Sequence, residues 1–450
     1  MHRFNEMMHS FELYLEDPDE SNIHPSDIAY LLKKVRKKET KEAFLDLLEK
    51  IPHDVLGDVL LELPEKIKDE ALEALSTEVL AGALGHLESD DATDLVQDIG
   101  DLDEDKSEAV VAHLDEEDRE DIDKLRRYEE DQAGAWMQTE LFDAKLEESV
   151  QEAIDRLRRL KAEGELENIY QLFLVDENQR LLAGISLEDL IVMDFKRTFK
   201  DVLAEEEYHF LSVEATDEIE EVAKMFEQYD LSVLAVVDWQ GKLVGRITSD
   251  DIYDVIEEKA TEQIYKLAGV DDDAEQEEKL YGVFKKRASW LGVNLITAIL
   301  ASIVIGVFDT TLAAFIPLAI LMPIVASMGG NAGTQTLRVM VRQMALGDID
   351  FENAKEAIYK EFLVALFNGL LFAIIVGFVA YFWFHVELLG VVIALAMIFN
   401  LLMAGLFGAL IPLLLKRLDV DPAVGSTVLL TTVTDVLGFF SFLGLASVIL

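Results

Sequence analysis

The 450-residue chain carries 87 acidic against 39 basic residues, a formal net charge of −48, yet 51% of it is hydrophobic. The charge is confined to one part: Phe284 to the C-terminus holds 9 Lys+Arg and 10 Asp+Glu, so the first 283 residues hold 30 and 77. A block this acidic repels nucleic acid and anionic lipid headgroups and attracts cations. With no cysteine there are no disulfides, thiolate metal sites or cysteine nucleophiles. The stretch from Met1 to Glu20 is polar and acidic, so no signal peptide is expected. The absence of HExxH, GxxxxGKS/T and GxGxxG motifs argues against common classes of soluble enzyme.

From 40 to 130 the pattern repeats about every 12 residues, at Ile51-Pro52, Leu63-Pro64, Leu75-Ser76 and Leu87-Glu88. Each mark is followed by acidic or small polar residues and then an amphipathic run. Proline or serine ahead of acids suits a helix N-terminus, where free N–H groups and the dipole favour negative charge. The spacing predicts a right-angled stack of short helices, a small solenoid. Asp58, Asp90, Asp91, Asp94 and Asp98 lie within it, and each taken singly reads as a solvated surface acid.

Residues 136–255 repeat at an offset of 62. Leu174-Val175-Asp176 matches Val236-Val237-Asp238, Arg180-Leu181-Leu182 matches Lys242-Leu243-Val244, Ile185-Ser186 matches Ile247-Thr248, and Asp189-Leu190 matches Asp251-Ile252. Each copy reads as helix, apolar strand, polar turn, strand and capped helix. This resembles a tandem pair of CBS domains, which commonly bind adenine nucleotides such as ATP and often dimerise. Ala183 stands where the second copy has Gly245. Beyond it, Ile252–Lys266 is predicted as a helix stopped at Gly269, followed by an acidic turn, Asp271 to Glu278, and an amphipathic stretch through Lys285.

From Trp290 onward come long uncharged stretches, 290–308, 310–337, 362–384 and 388–415, and a fifth, 424–450, interrupted only by Asp435. About 20 residues cross the hydrocarbon as a helix, so each can span. Lys285, Lys286 and Arg287 precede the first span, Arg338, Arg342, Lys355 and Lys360 lie between the second and third, and Lys416 and Arg417 between the fourth and fifth. The intervening turns have no basic residue. Their alternation predicts a cytoplasmic N-terminus and an outside C-terminus.

Asp435 is costly inside a span and points to an ion path or a polar partner on another helix. Thr431, Thr432 and Thr434 add hydroxyls. In Met328-Gly329-Gly330-Asn331-Ala332-Gly333-Thr334-Gln335 the paired glycines permit either a helix break, freeing carbonyls to line a cavity, or a close helix approach. Asn331 and Gln335 offer neutral oxygens four residues apart. Pro317 and Pro323 suggest kinking, and Asn294, Asn368 and Asn400 are read as bridges between helices. One carboxylate with amides and hydroxyls suits a hydrated hard dication such as magnesium better than zinc or copper. One chain has few such ligands, so a two-fold dimer presenting two copies of Asp435 is expected. A proton- or sodium-coupled carrier remains the alternative, because it needs the same midplane site. An aspartyl protease would need two close carboxylates, and a sensor without transport leaves Asp435 and the Gly-Gly-Asn segment unexplained.

Over almost its whole length the chain resembles the bacterial MgtE family of magnesium channels. The most specific parts are Gly329-Gly330-Asn331, Tyr128-Glu129-Glu130-Asp131, Arg417-Leu418-Asp419-Val420-Asp421-Pro422-Ala423 and Thr434-Asp435. The resemblance implies a multidomain protein. It has a cytosolic all-α superhelical domain (1–131), an α/β tandem CBS pair (132–255), a connecting plug helix (256–288) and a five-helix all-α transmembrane domain (289–450). It also implies a homodimer in the lipid bilayer of the inner membrane. Magnesium would be held at Asp435 beside Gly329, Gly330 and Asn331, and cytosolic magnesium would close the pore. The family's regulatory positions fall on Asp58, Asp90 and Asp94, on Glu218, Glu220, Asp230, Asp251 and Asp254, and on Glu262. Asp421 matches a metal position at the membrane edge, although Asp before Pro422 also reads as an ordinary helix start. Gln263 replaces an acid usual beside Glu262, and Val428 stands where a proline is common.

Overall fold

The computed structural model describes residues 2–16, 23–38, 40–164, 166, 168–205, 208, 210–268, 280–345, 349, 353–418, 420–423 and 425–450. Within it the chain divides into two compact units, Met1–Ile256 and Glu257–Leu450.

The first unit opens with short helices: α1 (His2–Glu16), α2 (Pro25–Lys38), α3 (Lys41–Leu48), α4 (His53–Leu61), α5 (Glu65–Ala74), α6 (Thr77–Leu84), α7 (Ser89–Leu102), α8 (Glu104–Val111) and α9 (Glu116–Leu125). The 12-residue marks are where helices start: Pro52, Pro64, Ser76 and Glu88 are the N-caps of α4 to α7. Ile51, Leu63 and Leu75, each one residue before a cap, are buried. Every such repeat therefore inserts an apolar side chain into the core at the point where the chain turns. Packing skips one helix at a time: α2 lies on α4, α4 on α6 and α6 on α8, while α3 lies on α5, α5 on α7 and α7 on α9. That is the two-layered superhelix of a solenoid. Lys106 closes one of its open ends. Its Nζ donates to the carbonyls of Leu72 (2.6 Å), Glu73 (3.1 Å) and Leu75 (2.7 Å), which the end of α5 leaves without helical partners.

Six strands follow: β1 (Asp143–Lys145), β2 (Gln171–Val175), β3 (Leu181–Ser186), β4 (Ser212–Glu214), β5 (Val233–Val237) and β6 (Leu243–Thr248). They form two sheets of order β1-β2-β3 and β4-β5-β6, each with a parallel pair followed by an antiparallel pair. The helices among them are α10 (Val150–Glu163), α11 (Leu187–Val192), α12 (Phe199–Glu205), α13 (Ile219–Tyr229) and α14 (Ser249–Ala268). The 62-residue offset reproduces even the register: Leu174 faces Ala183 as Val236 faces Gly245, with an irregularity after Leu174 and after Val236. The two copies join at their turns, where Leu181 N donates to Gly241 O (3.1 Å) and Leu243 N to Gln179 O (2.9 Å). Phe173, Val175, Ala235 and Leu243 form one buried cluster shared by both sheets.

Tertiary packing accounts for Ala183 standing opposite Gly245 in the repeat. The segment entering the CBS pair crosses the second copy, so a Cβ on Gly245 would lie 2.6 Å from Met137 Sδ and 2.9 Å from Gln138 O. Substituting Gly245→Ala is expected to destabilise by roughly 1–3 kcal/mol through overpacking, against about 0.5–1 kcal/mol for Ala183→Gly. Urea unfolding of the full-length protein in detergent, followed by tryptophan fluorescence, measures both. Equal midpoints for Gly245→Ala and the parent would mean that the crossing segment moves aside freely.

The second unit contains the end of α14, then α15 (Leu280–Val307), α16 (Asp309–Ala314), α17 (Ile316–Ala345), α18 (Ala354–Phe384), α19 (Glu387–Arg417) and α20 (Ser426–Ile449). Five of these, α15 and α17 to α20, are long and apolar enough to cross a membrane. The central one is α19. It packs against α17, α18 and α20, while α15 packs on α20. Val392, Ile393, Ala396 and Met397 of α19 are fully enclosed. Small residues set these approaches: a Cβ on Gly390 would lie 2.8 Å from Gly377 O of α18, and one on Gly408 2.8 Å from Gly333 O of α17. Pro317 sits in the first turn of α17 and Pro323 inside it, yet the helix runs unbroken through Gly329-Gly330. Of the two roles open to that glycine pair, Gly329 takes close approach, against Asn400 of α19, while a Cβ on Gly330 would meet nothing within 4 Å. Gly269 and the acidic turn expected at 271–278 lie outside the described residues.

Candidate ion sites

In the second unit, α20 and α17 pack against one another and carry the candidate pore residues. Asp435 is half-buried, and among the described residues no group donates a hydrogen bond to its carboxylate or pairs with it. A polar partner on another helix of the same chain, the alternative explanation for an intramembrane acid, is therefore not found. Thr431 and Thr432 both donate to Val428 O (3.1 and 2.6 Å), and Thr434, fully buried, donates to Thr431 O at 3.1 Å. With their protons bound to the helix, the half-buried Thr431 and Thr432 keep oxygen lone pairs that can meet a cation. Asn331 and Gln335 are both exposed and one turn apart on unbroken α17. Asn331 Nδ2 donates to Ser327 Oγ at 3.3 Å, which leaves its carbonyl oxygen as the open end of the amide. Gly330 O accepts from Thr334 Oγ1 (2.8 Å), and Gly329 is buried against α19. Of the asparagines expected to bridge helices, Asn400 does so, donating to Val325 O of α17 at 2.7 Å, whereas Asn294 bonds its own helix, to Trp290 O at 3.1 Å.

In the first unit the start of α7 meets the start of α14. Asp90 is buried at 6% exposure, its Oδ1 accepting from Asp91 N at 2.9 Å. Burial, then repulsion from Asp251 and Asp91, pushes its carboxyl well above the ordinary range. Asp91 is raised to about 8 by burial, then by Asp251, Asp94, Glu88 and Asp58. Asp251 is raised to about 6 by burial, against hydrogen bonds from Thr248 Oγ1 (2.8 Å) and N (3.3 Å), with Asp250 and Asp254 adding repulsion. Asp251 thus repels Asp90, Asp91 and Asp94 and is repelled by Asp254, Asp58 acts on Asp91, and for Asp90 the solvated-surface reading fails. Asp94 keeps exposed surface, yet desolvation of its carboxyl and then Asp98 raise it to about 7 against Lys68, and Asp98 pairs with Lys68 at 2.5 Å. Buried like charges in oxygen-only surroundings suit a hard dication that keeps part of its water. Among the described residues no three of these side chains converge closely enough to cage an ion directly, so bridging through water is the contact this geometry allows.

The other regulatory positions are more dispersed. Glu218 is the N-cap of α13, Glu220 lies in its first turn, and Asp230 is its left-handed C-cap at φ +51°, all three exposed. An 11-residue helix separates its ends by about 16 Å, so Asp230 shares no site with the two glutamates. In the second unit, Glu262 of α14 and Asp421 do come together, with a cation already between them. Lys266 Nζ lies 3.0 Å from Asp421 Oδ2 and pairs with Glu262, while Lys259 Nζ is 3.3 Å from Glu262 Oε2. Burial would lower the Lys266 pKa, but its two carboxylates outweigh that and raise it to about 12. Glu262 is held below the usual range, Lys266 and Lys259 outweighing its burial. Asp421 is not a helix cap. Its Oδ1 accepts from Ala423 N (2.8 Å) across Pro422, and α20 begins later, at Ser426 after Gly425 at φ +74°.

Several functional residues escape sequence reasoning. Glu88 is half-buried, and desolvation, outweighing Arg246, raises it to about 7. It receives Gln138 Nε2 (3.0 Å) and Arg246 Nη2 (3.3 Å), with Arg246 only 1% exposed. Ser89 N and Oγ both donate to Glu140 at 3.0 Å. These contacts fasten α7 to the CBS pair without any metal. They join residues 50 to 158 positions apart, a separation over which no local pattern signals contact.

Five apolar spans, a carboxylate within the fifth and oxygen-rich acidic clusters define a multi-pass membrane protein that handles divalent cations. Comparison with known proteins specifies it further. The profile of the divalent cation transporter domain MgtE matches residues 322–445, that of the MgtE intracellular N domain 23–131, and that of the CBS domain 201–258. The chain is 34% identical to the magnesium transporter MgtE of Thermus thermophilus over 431 residues, covering 95% of this chain and 93% of that protein. It is 27% identical to the magnesium transporter MgtE of Bacillus subtilis over 426 residues, 94% and 92% of the two chains. A crystal structure of the cytosolic domain of the Mg2+ channel MgtE in complex with ATP is 32% identical, covering 54% of this chain and 93% of that one, at a TM-score of 0.48. The chain belongs to the MgtE family of magnesium transporters, whose members are transporters rather than enzymes.

Proposed function

We propose that the protein is a homodimeric magnesium channel of the bacterial inner membrane, closed by magnesium on the side of its acidic N-terminal unit. The observation that carries this is Asp435, a half-buried carboxylate on a membrane helix with no partner among the described residues, packed beside the helix that bears Gly329-Gly330-Asn331. A hydrated dication meets a formal charge there together with neutral oxygens, which suits an ion that sheds water reluctantly. Two chains related by a two-fold axis would present two such carboxylates to one path. The alternation of basic loops favours a cytoplasmic N-terminus and an outside C-terminus.

For closure we assign the regulatory ions to Asp58, Asp90, Asp94, Asp251 and Asp254, with further positions at Glu218, Glu220, Asp230, Glu262 and Asp421. Buried mutual repulsion means that a dication binds the docked arrangement better than the separated one, and this differential affinity is what shifts a population. The helix α14 is unbroken from Ser249 to Ala268, so Asp251, Asp254 and Glu262 share one element. We place the domain limits at 131, 255 and 288, and assign ATP, as a CBS ligand, to the CBS pair.

Magnesium entry into proteoliposomes with proton and sodium gradients collapsed tests the reading. The channel conducts down the magnesium gradient alone and shows unitary current steps. Uptake that requires a proton or sodium gradient would replace it with a coupled carrier.

A further inference from the structure

We propose that Asn400 is a positioning residue for ion passage, setting the separation between the Gly-Gly-Asn segment of α17 and the Asp435 helix, α20. The inference rests on the reading that the ion passes Asp435. Asn400 lies on the central helix α19 and is 0% exposed. Its Nδ2 donates to Val325 O of α17 at 2.7 Å. Its Oδ1 is buried and has no hydrogen-bond partner among the described residues.

The amide is clasped from both sides. A Cβ on Gly329 of α17 would lie 2.4 Å from Nδ2 and 2.8 Å from Oδ1, and one on Gly438 of α20 would lie 3.0 Å from both. The first distance is an outright clash and the second a tight contact, so the amide occupies the space left by two absent side chains. Gly329 immediately precedes Gly330-Asn331, and Gly438 is one turn beyond Asp435. One side chain therefore touches both helices that carry the candidate ligands, within a turn of each.

Burying an amide among apolar helices is costly unless it is bonded, and a helix contact alone would be served as well by leucine, which has nearly the same shape. The amide supplies a directional bond to the α17 backbone, which fixes the rotation and height of that helix relative to α19. It also leaves an unpaired oxygen, a group that buried structure normally satisfies with water. A sub-ångström change in that spacing alters how well two oxygen-bearing helices fit a hydrated ion of fixed size, so the effect falls on selectivity and apparent affinity more than on maximal flux.

The test uses the full-length protein in proteoliposomes and reads the half-saturating magnesium concentration and the magnesium-to-cobalt uptake ratio. Asn400→Leu is expected to change at least one of them fivefold or more. Gly329→Ala is expected to lose most uptake, and Gly329→Ala combined with Asn400→Ser, which removes the clash, is expected to recover at least a third of it. An Asn400→Leu protein with unchanged half-saturation and ratio would overturn the proposal, whether or not its maximal rate fell. If Asn400→Leu does not fold, the glycine pair decides: full uptake in Gly329→Ala, or no recovery in the double variant, overturns it. Normal uptake by Asp435→Ala would instead sink the underlying reading of the ion path.

Discussion

Asp435→Ala is expected to lower magnesium uptake into proteoliposomes more than tenfold, and Asp435→Asn nearly as much. A carboxylate about 5 Å from a hydrated dication contributes on the order of 5 kcal/mol at an effective dielectric of about 20, partly cancelled by lost hydration, and a dimer would lose two such charges. Asparagine keeps the shape and the oxygen but not the charge, so equal losses in both variants assign the effect to charge. Helix packing is not the cause, because Asp435 is half-buried and, among the described residues, holds no partner whose loss would disturb the fold. Uptake preserved in both variants, with the proteins intact by circular dichroism, would move the ion path away from α20.

The second large effect is expected in regulation. In the parent, magnesium should protect residues 1–256 from limited proteolysis and reduce uptake when present on the acidic side. Asp90→Asn with Asp251→Asn removes two of the carboxylates whose burial and mutual repulsion raise their pKa values. Docking in this variant loses the Asp251-centred repulsion, leaving only the weaker set around Asp91 and Asp94, and most of its dependence on a dication goes with it. Protease protection should therefore become nearly independent of magnesium, and the concentration that halves uptake should rise at least tenfold. The metal-free contacts of Glu88 with Arg246 and of Ser89 with Glu140 should keep the unit folded. If the variant retains the parent's magnesium dependence, the regulatory ions bind elsewhere, and the dispersed positions Glu218, Glu220 and Asp230 become the next to test.

Much of the architecture was legible because it is written in local periodicity. The 12-residue spacing of Pro52, Pro64, Ser76 and Glu88 marks helix starts because caps are chosen by the few residues around them. The 62-residue repeat carries its register with it, since alternation on a strand dictates which face is buried. The membrane spans follow from the length of uncharged stretches, and Asp435 stands out because nothing else in its span is charged. What periodicity leaves open is which of two compatible local states is adopted. Gly329-Gly330 suits a broken helix as well as a close contact, and the contact is adopted because Asn400, from another helix, fills the space beside Gly329.

Domain order, the repeats, the spans and the lack of thiolate ligands are thus all readable from local pattern and composition. Packing settled that Asp90 is buried within reach of Asp251, and that Gly245 has no room for the alanine its repeat partner has. It also decided that Lys266 lies between Glu262 and Asp421. Each of these depends on side chains tens to hundreds of residues apart meeting at a few ångströms. Charge density and spacing along a chain record how many acids a segment holds, but the cost of bringing them together arises only when packing removes the water between them.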